Sequence, residues 1–303
     1  MNLTHFKLFL AYQRLGTFAL LVGAIAALAA EDSYLGGIQK WRQEEDQLMR
    51  SAKSPLLLVG RYNIDEGEST VGSSVGSKIL LPEKAPLHVC AILRHGAEIS
   101  LLPAPETDLA VNGKPVSGTI GLQAVAAPAP ADRVSFGDFT FAIRPVGQEF
   151  YLLLTDKQSK LLHDFNGKTW FPIDPAYRVT AQLIPYEHPK ALKVADTTGS
   201  TRTYTAPGYL VFSLGGQTLR LEPLVSGDEL LVMFKDQTSG NETYGGGRFL
   251  EAAVPRQGQT TLDFNKAYNP YCAFNPYAAC PTPQKENRLP VRVPAGETYK
   301  AHN

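Results

Sequence analysis

The hydrophobic pattern divides the chain into three regimes. From Thr17 to Ala30 the residues are uncharged and mostly apolar, with Lys7 and Arg14 before them and Glu31 and Asp32 after. Ala27-Leu28-Ala29 supplies the small residues of a cleavage site, and Ala30 allows a shifted one. This predicts a signal peptide over 1–30 and an exported protein, periplasmic or secreted. The run is shorter than the ~20 residues that cross a bilayer comfortably, so a retained anchor is the alternative reading. No later run is long and apolar enough to span. The second regime has helical period. Leu35, Ile38, Trp41 and Leu48 share a stripe, with Glu44, Glu45 and Asp46 mostly off it. A helix is expected at about 35–51, within a segment 31–53, braced on the body through Trp41. A partner-binding helix is the alternative.

From Ser54 onward the period shortens to two. Leu56 to Val59, Lys78 to Leu81, Glu98 to Leu101 and Phe139 to Ala142 are short apolar or alternating runs, punctuated by Gly, Pro, Asn and Asp. Val111-Asn112-Gly113-Lys114 predicts a tight hairpin turn, because Asn-Gly readily takes positive φ. Many short strands at near-regular spacing predict a sandwich or barrel, here a first β lobe over 54–155. The Ala- and Pro-rich stretch Ala124 to Ala131 is expected to be a surface loop. A second antiparallel lobe is expected over 156–303, with strands at Val179–Ile184, Tyr209–Leu214, Thr218–Leu224 and Glu229–Lys235. His163 and His188 are expected in loops. After Tyr268 the pattern gives way to Pro, Asn, Tyr and Cys. That irregular tail has too many aromatic rings to be free and is expected to wrap the β body. The fold class is mostly β.

Composition narrows the chemistry. Lys plus Arg and Asp plus Glu number 29 each, so the formal net charge is zero. That argues against nucleic acid as a partner, which asks for a basic face. Of the cysteines, Cys272 and Cys280 are spaced so that a local disulfide is allowed but not required. Cys90, in the apolar run Val89 to Leu93, reads as an inert core thiol. His88 and Cys90 share a strand face, but two ligands make no metal site, and none is expected. No phosphate loop occurs, and no cofactor is expected.

The densest polar run is Phe234 to Leu250. It reads as strand, turn and strand, with Ser239-Gly240-Asn241 in the turn and Glu242, Tyr244 and Arg248 on one face. Gly245, Gly246 and Gly247 ask for a bend or a close-approaching group. Asp263 and Asn265 are placed on one strand face. Two readings follow. In one, Arg248 and a carboxylate form a structural fork. In the other, Arg248 binds an anion and Asp236 or Glu242 acts as base, with Tyr244 and Asp263 as further catalytic candidates. Binding candidates are Arg248, Asn265, Tyr268 and Asn269. Trp170, Phe171, Tyr268, Tyr271 and Tyr277 are candidate sugar-stacking rings.

These residues resemble an uncharacterised bacterial family, the domain-of-unknown-function family numbered 1684. The likeness begins at Trp41-Arg42 and Leu57-Leu58-Val59-Gly60. It is densest at Phe234-x-Asp236-x-Thr238-Ser239-Gly240, Glu242-Thr243-Tyr244, Gly247-Arg248, Asp263-Phe264-Asn265 and Ala267-Tyr268-Asn269-Pro270. It continues through Cys272, Cys280-Pro281, Glu286 to Pro290 and Ala295-Gly296-Glu297. The resemblance implies no activity. The first lobe is also distantly similar to forkhead-associated sandwiches, through Gly72-Ser73, Ile79 to Pro82, His88 and Val111-Asn112-Gly113. The phosphate-reading Arg of that family is Ser73 here, and its phosphate-contacting Ser is replaced around Ala85. The likeness therefore implies a scaffold without phosphothreonine binding. The expected function is a non-catalytic binding or structural module of the envelope with a small-molecule or envelope ligand. A hydrolase using a carboxylate and Arg248 is the alternative.

Overall fold

The computed structural model describes residues 30–124 and 130–300. The expected signal segment lies outside the described residues except for Ala30, as does the centre of the Ala- and Pro-rich loop. Helix α1 is described over 30–49. Its body-facing stripe is Tyr34, Ile38, Trp41, Arg42, Glu45, Asp46 and Met49, at the three- and four-residue steps of an α-helix. Two expectations are corrected here. Leu48 is 37% exposed and Met49 is buried in its place. Glu45 and Asp46 face the body, because Lys168 and its backbone amide await them there. No helix among the described residues is long and apolar enough to cross a membrane.

The first lobe is a two-sheet sandwich, the architecture its distant likeness implied. Its strands are β1 (Leu58–Asn63), β2 (Gly67–Gly72), β3 (Ile79–Leu80), β4 (Cys90–His95), β5 (Glu98–Pro103), β6 (Ala110–Val111), β7 (Lys114–Pro115), β8 (Ile120–Leu122), β9 (Val134–Phe136), β10 (Phe139–Val146) and β11 (Glu149–Asp156). One sheet runs β1-β11-β10-β9-β6-β7 and the other β3-β2-β4-β5-β8. Phe139, Phe141 and Ile143 alternate inward along β10 and meet Leu152 and Leu154 of β11, so the period of two builds the core. Asn112 and Gly113 both take positive φ, as the hairpin turn requires. Cys90 is buried in this core, and burial pushes its thiol up to about 12.

A short helix, α2 (Lys160–His163), follows, and His163 ends it rather than lying in a loop. The second lobe contains β12 (Arg178–Ala195), β13 (Thr201–Leu214), β14 (Gln217–Leu221), β15 (Leu224–Ser226), β16 (Glu229–Phe234), β17 (Arg248–Ala253) and β18 (Gln259–Asp263). They form the sheets β14-β13-β12-β18 and β15-β16-β17. β12 and β13 make a hairpin much longer than the pattern indicated, and His188 lies within β12. Pro185, Pro189 and Pro207 hide its length, since proline reads as a breaker. The hairpin absorbs them at a register shift between Pro185 and Lys190. The core holds Phe212, Phe234, Leu250, Leu262 and Phe264 and is closed by Leu289, Val293 and Ala295 of the tail. The tail does wrap the body.

Candidate functional site

The run 235–247 is a loop, so Glu242 and Tyr244 do not extend the strand of Arg248. Thr238 explains this local fold. Its carbonyl accepts the amides of Asn241, Glu242 and Thr243, while its hydroxyl binds Asp236 and Thr243 Oγ1. Gly247 holds φ at +100° with Pro283 and the Phe234 carbonyl so close that a Cβ would meet them at 2.6 and 2.8 Å. This is the close approach that the glycine triplet asked for.

The loop and tail enclose Arg248, whose side chain is fully buried. Nη2 donates to Val293 O at 2.9 Å and to Asp236 Oδ1 at 3.3 Å, and Nη1 donates to Ala295 O. Asp236 Oδ2 accepts Val293 N at 2.7 Å. Burial lowers the Arg248 pKa, and Asp236 opposes that shift. Nε has no hydrogen-bond partner among the described residues. The guanidinium lies 5.2 Å from the Phe234 ring centroid. Glu242 instead faces solvent and pairs with Arg292, whose hydrogen bond holds its carboxyl below the usual range.

Asp263 and Asn265 serve a different junction. Asn265 lies in a 3₁₀ turn, Phe264–Lys266, not on the strand of Asp263. The Tyr34 hydroxyl of α1 donates to both Asp263 oxygens at 3.0 and 3.1 Å. Burial first, then Asp263, raises the Tyr34 pKa. Asn265 Nδ2 donates to Asp174 O, and Arg42 of α1 donates to Phe171 O. Tyr268 donates to Glu251, and Asn269 joins the tail through Thr298 O and Glu297.

A third buried centre was not read from the sequence. Lys168 Nζ lies 2.8 Å from Glu45 and 3.4 Å from Glu297, with the rings of Trp170, Tyr268 and Phe274 around it. Burial alone would lower the Lys168 pKa, but Glu297 and Glu45 overcome it and the net shift is upward. Burial pushes Glu297 up to about 7, opposed by Lys168 and by the Asn269 amide. The two directions conflict, one favouring an ion pair and the other a neutral acid. The nearer carboxylate, Glu45 at 2.8 Å, keeps some contact with solvent, whereas burial acts in full on Glu297.

Tyr244 meets the cysteines. Its hydroxyl donates to Cys272 Sγ at 3.8 Å, and its ring packs edge-on to Tyr299 at 5.2 Å. Cys272 N donates to Cys280 Sγ at 3.1 Å, and both sulfurs are free thiols. Cys272 is half-buried and lines a cleft of about 550 Å³. Leu56, Leu161, Phe165 and Phe274 give the cleft an apolar wall, and Asn166, Asn275 and Tyr299 give it polar groups. A separate open depression of about 620 Å³ lies along the long hairpin, lined by Tyr186, Lys190, Tyr209 and Arg220 among others. Its groups are already paired, Tyr186 with Glu222 and Lys190 with the Tyr186 ring. Among the described residues no cluster has the makings of a metal site.

Thus the predicted carboxylates and arginine separate into the Arg248, Glu242 and Asp263 centres and do not converge on one cavity. Residues 163–298 match the model of a family described as "Protein of unknown function (DUF1684)". The C-terminal part of the chain belongs to the DUF1684 family. The DUF1684 segment contains Lys168 and Glu297, Asp236 and Arg248, and both cysteines. Tyr34 and Glu45, which complete two of its networks, come from α1 outside it. An uncharacterised protein of Haloarcula marismortui, solved by solution NMR, is 35% identical over 45% of this chain and 78% of its own, with a TM-score of 0.39. No curated protein matches the chain.

Proposed function

We propose that the protein is an exported, non-catalytic binding module of the cell envelope. One observation carries the non-catalytic part. Arg248, the cation best placed by sequence to hold an anionic substrate, is fully enclosed and committed to Asp236 and two tail carbonyls. A hydrolase using Arg248 would need that group to face a cavity. The uncharged, mostly apolar run after Lys7 and Arg14 supports export. The cleft at Phe165 and Phe274 supports binding, with an apolar wall and the exposed amide of Asn166 to orient a small ligand.

Two measurements test this reading. Cell fractionation should find the chain outside the cytoplasm, shortened near Ala29 or Ala30. A thermal-shift screen of small envelope-derived molecules should give ligands that raise the melting temperature and are recovered unchanged. Phe274→Ala should abolish their effect. Hydrolytic turnover that disappears in a folded Glu242→Gln or Arg248→Lys variant would overturn the non-catalytic reading. Cytoplasmic retention would overturn export.

A further inference from the structure

We propose that Cys272 and Cys280 form a thiol–disulfide couple that stiffens the loop joining the two lobes. The inference stands apart from any ligand in the cleft. Three observations lead to it. The two thiols are hydrogen-bonded to each other, and the amide of Cys272 also donates to Cys280 Sγ at 3.1 Å. They differ in access, because Cys272 lines the open cleft while Cys280 is 6% exposed. The residues between them are also the part of the tail that reaches the sandwich lobe. Asn275 Nδ2 donates to Pro55 O at 2.8 Å and Leu58 O at 2.7 Å, and Phe274 packs with Leu56 and Phe165.

The chemistry follows from that asymmetry. Cys272 accepts hydrogen bonds from Tyr244 and from the Cys280 thiol, and these lower its pKa against the effect of burial. A thiolate is the attacking species in exchange. Cys272 loses its proton and attacks one sulfur of a small disulfide entering through the cleft. A mixed disulfide forms and one thiolate leaves. Cys280 then loses its proton and attacks Cys272 Sγ, closing the internal bond and releasing the second thiolate. The two protons end on the departing thiols, so one external disulfide is reduced to two thiols and the protein dithiol is oxidised. Closure ties the ends of the segment that carries Phe274 and Asn275. Cys90 takes no part, because the sandwich core encloses it.

The test uses the purified protein and oxidised glutathione. After equilibration, denaturation and alkylation, free thiols should fall from three to one, since the chain has three cysteines. Peptide mapping should find Cys272 linked to Cys280. Protease cleavage in the connection 157–177 should slow relative to the reduced protein. Cys280→Ser should instead accumulate glutathione on Cys272, and Cys90→Ser should behave as wild type. Three free thiols after oxidation, a bond involving Cys90, or equal cleavage rates in both redox states would overturn the proposal. The thiol count and mapping on wild-type protein decide the outcome even if a cysteine variant fails to fold.

Discussion

Several side chains among the described residues are charged where charge is expensive. Arg248 and Asp236 share a dry site, and the value of their pairing shows when one partner is removed. Arg248→Ala leaves a buried carboxylate and the carbonyls of Val293 and Ala295 unmatched. We expect a loss of about 3–5 kcal/mol in urea unfolding. A loss under about 1 kcal/mol, ordinary for an exposed ion pair, would show the enclosure to be wrong. Glu297 makes a different statement, one that depends on pH. Its pKa rises on folding, to about 7. The folded state therefore holds a proton that the unfolded state gives up at lower pH. The resulting stability is fully present below the unfolded carboxylate pKa and is lost as pH rises through about 7. Melting temperature should fall between about pH 5 and about pH 8 in the wild type, and fall less in Glu297→Gln. Equal slopes in the two proteins would exclude Glu297 as the source.

At the scale of elements, α1 acts as a brace whose inner stripe is partly ionic. Trp41 meets Trp170 edge-on at 5.4 Å, Tyr34 caps Asp263, and Asp46 accepts the Lys168 amide. Tyr34→Phe removes one hydroxyl from Asp263 and should cost about 1 kcal/mol. Amide exchange at 168–171 should quicken in Glu45→Ala, because Lys168 loses its nearer carboxylate. Unchanged exchange there would mean that the helix is not what orders that segment. The brace also shows where sequence reading succeeds and stops. Trp41 was legible as its anchor because helical period is local. The inward turn of Glu45 was not, because its partner lies 123 positions away and no nearby pattern reports it. The sandwich strands were legible for the same local reason, as was the turn at Asn112-Gly113. The loop at Asp236 was not. Its alternation looked like a strand, and only the bonds that converge on Thr238 and the arrival of Val293 make it a loop. The candidate residues were real features of the fold, but grouping them into one site needed distances that spacing cannot supply.

The whole molecule depends on a small joint. Met49 of α1, Leu56 at the entry to the sandwich, Leu161 and Leu162 of α2, and Phe165 and Phe274 meet in one cluster. Asn275 is the polar centre of that joint. It is buried, and both of its donor hydrogens go to carbonyls at the start of the sandwich. Each such bond contributes about 1 kcal/mol net, but its loss leaves a carbonyl without its partner. Asn275→Ala should therefore loosen the lobes while leaving both cores intact, since neither core contains this residue. Three measurements separate loosening from general unfolding. Limited proteolysis should speed in the connection 157–177. Near-ultraviolet dichroism from the packed rings of each lobe should change little. Calorimetry should show one transition for the wild type and a broadened or divided one for the variant, because domains coupled by few contacts lose cooperativity when those contacts go. If cleavage instead quickens throughout the chain, the joint is part of one indivisible core. If it does not quicken in the connection, the lobes are held together by contacts other than Asn275.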